Sequence, residues 1–100
     1  MMMEIDILTL IKQALVKENM IGDLKLIHID DDFYEKAGEY VKDKEEAHVI
    51  FTKVKRSRVT KMCRFASARI PVDSVENLSP EELELYCKLY DCIDLFWRTT

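Results

Sequence analysis

Three consecutive carboxylates, Asp30, Asp31 and Asp32, are a candidate for metal binding or for general acid/base chemistry. Consecutive side chains at the start of a helix point in different directions, however, and three in a row do not converge on one ion. Carboxylates at that position complement the free backbone N–H groups of the first turn. We therefore expect this triplet to cap the helix that follows it.

The histidines and cysteines do not form a catalytic or metal-binding pattern. Neither His28 nor His48 stands at ligand spacing from a cysteine, and no nucleophile or substrate pocket is indicated beside either ring. The sequence has no Gly-rich phosphate loop, no H-E-x-x-H and no G-x-S-x-G. The cysteines are odd in number, and Cys63, Cys87 and Cys92 form no C-x-x-C pair. We expect them to be small buried residues on apolar helix faces. No catalytic residue, metal or cofactor is predicted.

A basic stretch is the strongest candidate for a binding surface. Residues 47–72 contain seven basic and no acidic side chains, whereas the rest of the chain contains 19 acidic and eight basic ones. The cations that could contact nucleic-acid phosphates or an acidic partner are Lys53, Arg56, Arg58, Lys61 and Arg64. No aromatic residue lies among them to stack on bases, and the acidic remainder would repel a polyanion. Three interpretations stay open: ion pairing or solvation, contact with a partner protein, and contact with DNA.

The last helix has an apolar arc that is too wide for a single core. Ser79 is a predicted N-cap, Pro80 suits the first turn, and Glu82 completes a capping box. The apolar positions from Leu83 to Trp97 then cover roughly 220° of the helix, whereas one core needs a stripe of about 100°. The residues predicted to form a subunit interface are Leu83, Tyr86, Leu89, Tyr90, Ile93, Phe96 and Trp97.

The remaining periodicity predicts three earlier helices. The first runs from about Ile5 to Asn19 with Asp6 as its cap, and the second covers Phe33 to Val41. Between them an extended connector is expected to lay Leu26 and Ile29 on the helices. The third begins between Ala47 and Val54 and ends before Pro71. The predicted buried positions are Ile7, Leu8, Ile11, Leu15 and Val16 in the first helix and Val59, Met62, Cys63, Ala66 and Ile70 in the third.

The fold class predicted is all-α, a small bundle of about four helices. One hundred residues form a single domain, residues 1–100. No apolar run approaches the roughly 20 residues of a membrane span. No basic segment precedes an apolar stretch at the start, so no secretory signal is indicated and an intracellular protein is expected.

Three stretches in this order resemble the helical domain of GINS subunits, the DNA replication factor of archaea and eukaryotes. They are Asp31-Asp32-Phe33-Tyr34-Glu35, Arg56-Ser57-Arg58-Val59-Thr60-Lys61-Met62 and Asn77-Leu78-Ser79-Pro80-Glu81-Glu82. The likeness covers nearly the whole chain and is greatest to archaeal subunits whose helical domain comes first. Such subunits carry a small β-rich domain after the helical one, and the sequence here does not include it.

The resemblance implies a non-enzymatic scaffold without a cofactor. GINS assembles from related subunits, as one kind in four copies or two kinds in two copies, and its helical domains pack through their long helices. It links the MCM helicase to a RecJ-like or Cdc-type partner, and contacts primase or polymerase in some lineages. Arg58, Lys61 and Arg64 match a family motif and would be partly structural. The implied location is the cytoplasm, near the nucleoid, in an archaeon, or the nucleus in a eukaryote. DNA contact would be weak or indirect.

Overall fold

The computed structural model describes residues 6–100, so Ile5, the predicted start of the first helix, lies outside the described residues. The described part contains the helices α1 (Ile7–Met20), α2 (Phe33–Val41), α3 (Glu45–Ser67) and α4 (Pro80–Thr99), with a 3₁₀ turn at Val72–Ser74. No strand occurs in residues 6–100. The prediction of an all-α bundle of about four helices is confirmed.

Two of the three predicted caps are present. The Asp6 side chain accepts a hydrogen bond from the backbone N–H of Leu8 at 3.4 Å. At α4 the capping box is complete, because Ser79 Oγ accepts from the Glu82 N–H at 3.2 Å and a Glu82 carboxylate oxygen accepts from the Ser79 N–H at 3.0 Å. Each cap gives a partner to N–H groups that the first helical turn leaves free.

The predicted capping of α2 by the aspartate triplet is wrong. Asp32 occupies the N-cap position, but its side chain makes no hydrogen bond to the helix backbone. Its carboxylate instead lies 2.9 Å from Lys36 Nζ, one turn into the helix. A backbone hydrogen bond from the Phe33 N–H to the Asp30 carbonyl, at 2.9 Å, closes the turn that starts α2.

Helix α3 is the axis of the molecule. It is 23 residues long and packs against α1, α2 and α4, whereas α4 packs mainly on α3 and on the 3₁₀ turn. The described residues measure 58 × 25 × 20 Å along their principal axes. Helix α3 starts at Glu45, just before the range Ala47 to Val54 in which its start was predicted. Its first half is therefore available to pack against α1 and α2.

The apolar interior is divided into two clusters along α3. The first joins α1, α2 and the first half of α3, and its buried members are Ile11, Ala14, Ile27, Ile29, Ala37, Val41, Ala47, Phe51 and Val54. The second joins the second half of α3 to α4, and its buried members are Leu26, Met62, Phe65, Ala66 and Tyr86. The connector contributes to both, since Leu26, Ile27 and Ile29 are buried. The predicted role of Leu26 and Ile29 is thus confirmed.

Several predicted core positions are wrong. Val16 of α1 and Val59 of α3 are exposed, and so are all three cysteines, including Cys63. The reason is that Glu18, Arg58 and Lys61 occupy the buried stripes of these helices. A charged residue on the buried stripe shifts the apparent centre of the apolar pattern towards positions that face solvent. None of the helices described here is long and apolar enough to cross a membrane.

Candidate functional site

A network of charged side chains lies inside the bundle, where three helices meet. Glu18 comes from α1, Arg58 and Lys61 come from α3, and Glu82 comes from the first turn of α4, and all four are buried. On α3, Arg58 lies between Val54 of the first apolar cluster and Met62 of the second. The network is therefore a polar layer between the two clusters.

Arg58 is the centre of this layer and uses all five of its N–H donors. Its Nε and Nη2 donate to the two carboxylate oxygens of Glu82 at 2.6 and 2.8 Å, while Nη1 donates to Glu18 at 2.7 Å. The remaining hydrogens go to the backbone carbonyls of Ile27 and Asn77, each at 2.8 Å. The planar guanidinium thus ties α1, the connector and the start of α4 to α3, with bidentate geometry at Glu82.

Lys61 lies one turn farther along α3 and joins it to the end of α1. Its ammonium group contacts the Glu18 carboxylate and donates to the Glu18 backbone carbonyl at 2.7 Å. That carbonyl belongs to the last turn of α1, where C=O groups lack helical partners and a cation is favoured. The Glu18 carboxylate also accepts from the Ile27 N–H at 3.4 Å.

Glu82 stays ionised within the layer. Burial by itself would raise its pKa, but the hydrogen bonds and charge of Arg58, the Ser79 N–H and the Tyr34 hydroxyl together hold the pKa below its ordinary value. Tyr34, from α2, donates its hydroxyl hydrogen to Glu82. Burial first, and then the negative charge of Glu82, raise the pKa of Tyr34 far above its ordinary value. The tyrosine is therefore a hydrogen-bond donor at every physiological pH.

The backbone at Asn77 supplies one of the carbonyl groups that accept hydrogen bonds from Arg58. Asn77 has a φ of 68°, in the left-handed region that Asn enters more readily than most residues. In this conformation its carbonyl accepts from Arg58, and its side-chain amide donates to the Leu26 carbonyl at 3.0 Å. The loop before α4 is therefore attached both to α3 and to the connector.

The layer is built for structure and has no free chemical capacity. Two cations and two carboxylates balance in charge, and no buried side-chain nitrogen or oxygen in residues 6–100 lacks a hydrogen-bond partner. Its four charged members, Glu18, Arg58, Lys61 and Glu82, are shielded from solvent. No group of three or more His, Cys, Asp and Glu side chains within the described residues is arranged to hold a metal ion.

The buried positions of Arg58 and Lys61 correct part of the predicted contact surface. Both were candidates for contact with nucleic acid or an acidic partner, but both form ion pairs with buried carboxylates of the protein itself. Arg64 is exposed and pairs with Asp23 at 3.2 Å. Lys53 and Arg56 are exposed and form no ion pair within residues 6–100. Of the five predicted cations, only Lys53, Arg56 and Arg64 are exposed and can contact a partner.

The α4 residues predicted for an interface fall into three groups. Tyr86 is completely buried, and its hydroxyl donates to the Ile70 carbonyl at 2.6 Å, so its assignment to the interface is wrong. It lies on the stripe of α4 that faces α3. The half-buried residues are Leu89, Tyr90 and Ile93, and the exposed ones are Leu83, Phe96 and Trp97.

The final turns of α4 expose the largest apolar side chains. Phe96 is 61% exposed, Trp97 57% and Leu95 61%. The Phe96 and Trp97 rings are in edge-to-face contact with each other, with centroids 6.1 Å apart. At 100° per residue these three consecutive positions span about 200° of the helix, while Asp94 and Arg98, paired at 2.8 Å, lie on the remaining side. The end of α4 is therefore apolar over somewhat more than half of its circumference.

Three members of the network were not predicted from the sequence: Glu18, Tyr34 and Asn77. A signal for Glu18 was present, because it follows Ile11 and Ala14 at spacings of three and four and so shares their buried stripe. The donor role of Tyr34 and the left-handed backbone of Asn77 depend on contacts across 48 and 51 residues of chain. Local patterns do not contain such contacts.

Comparisons of the chain with protein-family models, with curated proteins and with solved structures find no match. The exposed surfaces of α3 and α4 are the features left to indicate a function.

Proposed function

We propose that this chain is a non-enzymatic assembly module that associates with other protein subunits through α4. The observation that carries the proposal is the exposure of Leu95, Phe96 and Trp97 in the last turns of that helix. Together they present on the order of 300 Å² of apolar surface, the size at which an exposed patch is often functional. Aromatic side chains of this kind are enriched at the buried centres of protein interfaces.

The position of α4 supports the same proposal. Apart from the 3₁₀ turn, α3 is the only element described that packs along it. Leu83 and Leu85 are also exposed and lie on opposite sides of the stripe that carries Glu82 and Tyr86. Both flanks of the helix are thus open to a partner, which accounts for the width of the apolar arc.

We further propose that the assembly is of the GINS type, as the sequence motifs suggest. The partners would be other GINS subunits, either copies of this chain or a paralogue, together with the MCM helicase and a RecJ-like or Cdc-type protein. The buried network is compatible with this proposal, because Arg58, Lys61 and Glu82 come from two of the three stretches that carry the resemblance. DNA would then be contacted through the assembly rather than by this chain alone.

Sedimentation velocity at tens of micromolar tests the assembly proposal. The expected species is a dimer or tetramer, and Trp97→Glu should weaken association by about tenfold or more because it places a charge at the apolar centre. The melting temperature should change little, since Trp97 is exposed in the single chain. Val16→Glu is the matched control, an exposed apolar residue on α1. A stable monomer, or equal effects of the two variants, would contradict the proposal.

Co-elution with purified MCM helicase and a purified archaeal RecJ-like protein tests the GINS assignment separately. Binding that is lost in Trp97→Glu and kept in Val16→Glu is the expected result. A self-associating chain that binds neither protein would leave assembly through α4 intact and overturn the GINS assignment.

A further inference from the structure

Helix α3 has an outward stripe that none of the described residues covers. Its members recur at spacings of four and three and are all exposed; they are Val49, Lys53, Arg56, Thr60, Cys63 and Ser67. At 3.6 residues per turn they lie opposite the buried stripe of the same helix. We refer to them as the α3 outer stripe. Their alternating spacing is the one by which a second helix packs along the first at a shallow angle.

The first half of this stripe carries two positive charges that no carboxylate of residues 6–100 neutralises. Lys53 and Arg56 are three residues apart, are exposed, and form no ion pair in residues 6–100, whereas Lys55 lies outside the stripe with its ammonium group over the Phe51 ring. The other cations of the basic stretch do have carboxylate partners; they are Arg58, Lys61, Arg64 and Arg69. Like charges three residues apart repel on a helix surface. A partner that supplies carboxylates here would relieve that repulsion.

The second half of the stripe is suited to apolar contact. Val59, Thr60, Cys63, Arg64, Ser67 and Ala68 line a shallow concavity. Its one charged member, Arg64, is paired with Asp23. Small side chains along a helix let the larger side chains of a partner approach closely, as knobs into holes.

A protein partner fits this surface better than a nucleic acid does. A phosphate backbone needs cations along the whole length of the contact, whereas the two cations of the stripe lie towards one end and are followed by its uncharged residues. The stripe has no aromatic side chain on which a base could stack. The acidic excess of the remaining chain repels any long polyanion.

We propose that the α3 outer stripe binds an acidic amphipathic helix of a partner protein. Carboxylates of that helix would lie against Lys53 and Arg56, and its aliphatic side chains would lie over Thr60 and Cys63. The proposal is independent of assembly through α4, because the stripe and the end of α4 belong to different helices.

The probe is a synthetic three-heptad helix with leucine at the a and d positions and glutamate at the flanking ones, labelled for fluorescence anisotropy. It is titrated at about 50 mM salt, where surface charges are weakly screened. The double variant Lys53→Glu/Arg56→Glu should weaken binding roughly tenfold. Lys12→Glu/Lys25→Glu makes the same change of net charge at exposed lysines outside the stripe and should leave affinity within about twofold. Cys63→Trp fills the concavity and should also weaken binding.

Each outcome decides the proposal. Equal losses in the two double variants would show a non-specific charge effect and overturn it, and so would the absence of binding at roughly 100 µM peptide. A duplex or single-stranded oligonucleotide that binds more tightly than the peptide, and loses affinity in Lys53→Glu/Arg56→Glu, would show that the surface binds nucleic acid and would overturn the proposal. Trp97→Glu should leave peptide binding unchanged, which separates this surface from α4. Circular dichroism confirms that each variant is folded.

Discussion

Arg58 and Glu82 face each other inside the protein in a bidentate pair, with N–O distances of 2.6 and 2.8 Å. The pair joins the middle of α3 to the first turn of α4. Glu82 also closes the capping box with Ser79, so the carboxylate that starts α4 is the one that attaches it to the bundle. The direction of α4, and with it the placement of its exposed end, is therefore set by this contact.

We expect Arg58→Lys to lower the free energy of unfolding by about 3 kcal/mol. Lysine has one compact ammonium group and cannot supply five N–H donors in a plane, so two carbonyls and one carboxylate would lose partners. Urea unfolding followed by circular dichroism measures the change. Arg56→Lys, at an exposed neighbour, should change the value by less than about 0.5 kcal/mol. A loss below about 1 kcal/mol in Arg58→Lys would mean that the guanidinium is dispensable.

Glu82 should make the protein less stable in acid. Its pKa is depressed in the folded state, so the unfolded chain binds the proton first as the pH falls. The stabilisation is complete above the ordinary value of 4.5 and is lost as the pH drops below it. Glu82→Gln should therefore show a shallower fall in unfolding free energy below pH 4.5 than the parent, while being less stable at neutral pH. Glu81→Gln is the exposed control, and an equal slope in both variants would contradict the assignment.

Tyr34 should make the stability of the protein depend on pH in the alkaline range. Because the pKa of the folded tyrosine is raised, its contribution is complete below the ordinary value of 10.0 and is lost as the unfolded chain ionises above it. Tyr34→Phe should destabilise the protein by about 1–2 kcal/mol at neutral pH, because Glu82 loses a donor. The difference from the parent should narrow above pH 10 in chemical unfolding. A difference that widens there would show that the hydroxyl is not held neutral by the fold.

The left-handed backbone at Asn77 gives a test with two substitutions. Asn77→Gly removes the amide that donates to Leu26 but allows the φ of 68° without strain. Asn77→Ala removes the same hydrogen bond and adds the cost of a Cβ in this region, so it should be less stable than Asn77→Gly by about 1 kcal/mol. Thermal unfolding measures both. Equal stabilities would show that the loop relaxes to another conformation.

The exposed cysteines should be chemically accessible in the native protein. Cys63, Cys87 and Cys92 all lie at the surface. We expect all three to react with a thiol reagent such as dithionitrobenzoate without unfolding, because solvent access governs such reactions. Reaction rates in the native and urea-unfolded chain give the comparison. A thiol that reacts only after unfolding would contradict its placement at the surface.

Local signals in the sequence were sufficient for the helices and their order. Ser79, Pro80 and Glu82 marked the start of α4, and the run from Phe33 to Val41 gave the bounds of α2, because capping and periodicity are properties of neighbouring residues. The connector was also predicted, since a short apolar segment without a partner strand has to lie on the helices.

The faces of α1 and α3 were harder to predict because their buried stripes contain charges. Glu18 was not singled out in the sequence as a buried residue, and Arg58 and Lys61 were candidates for contact with a partner, since isolated charges are rarely buried. They become acceptable inside only as a neutral, fully hydrogen-bonded set. That set brings together residues separated by 24, 40 and 43 positions in the chain. The apolar pattern of a single helix does not indicate which charged residues of other helices will pair with its own.

The order of the network members along the chain has a consequence for synthesis on the ribosome. After α3 has emerged, the growing chain contains Arg58 and Lys61 with only Glu18 to balance them, which leaves one excess positive charge at a site meant for the interior. The missing carboxylate is Glu82, in α4, which follows α3 along the chain. We therefore expect the interior of the nascent protein to close only after α4 has been made.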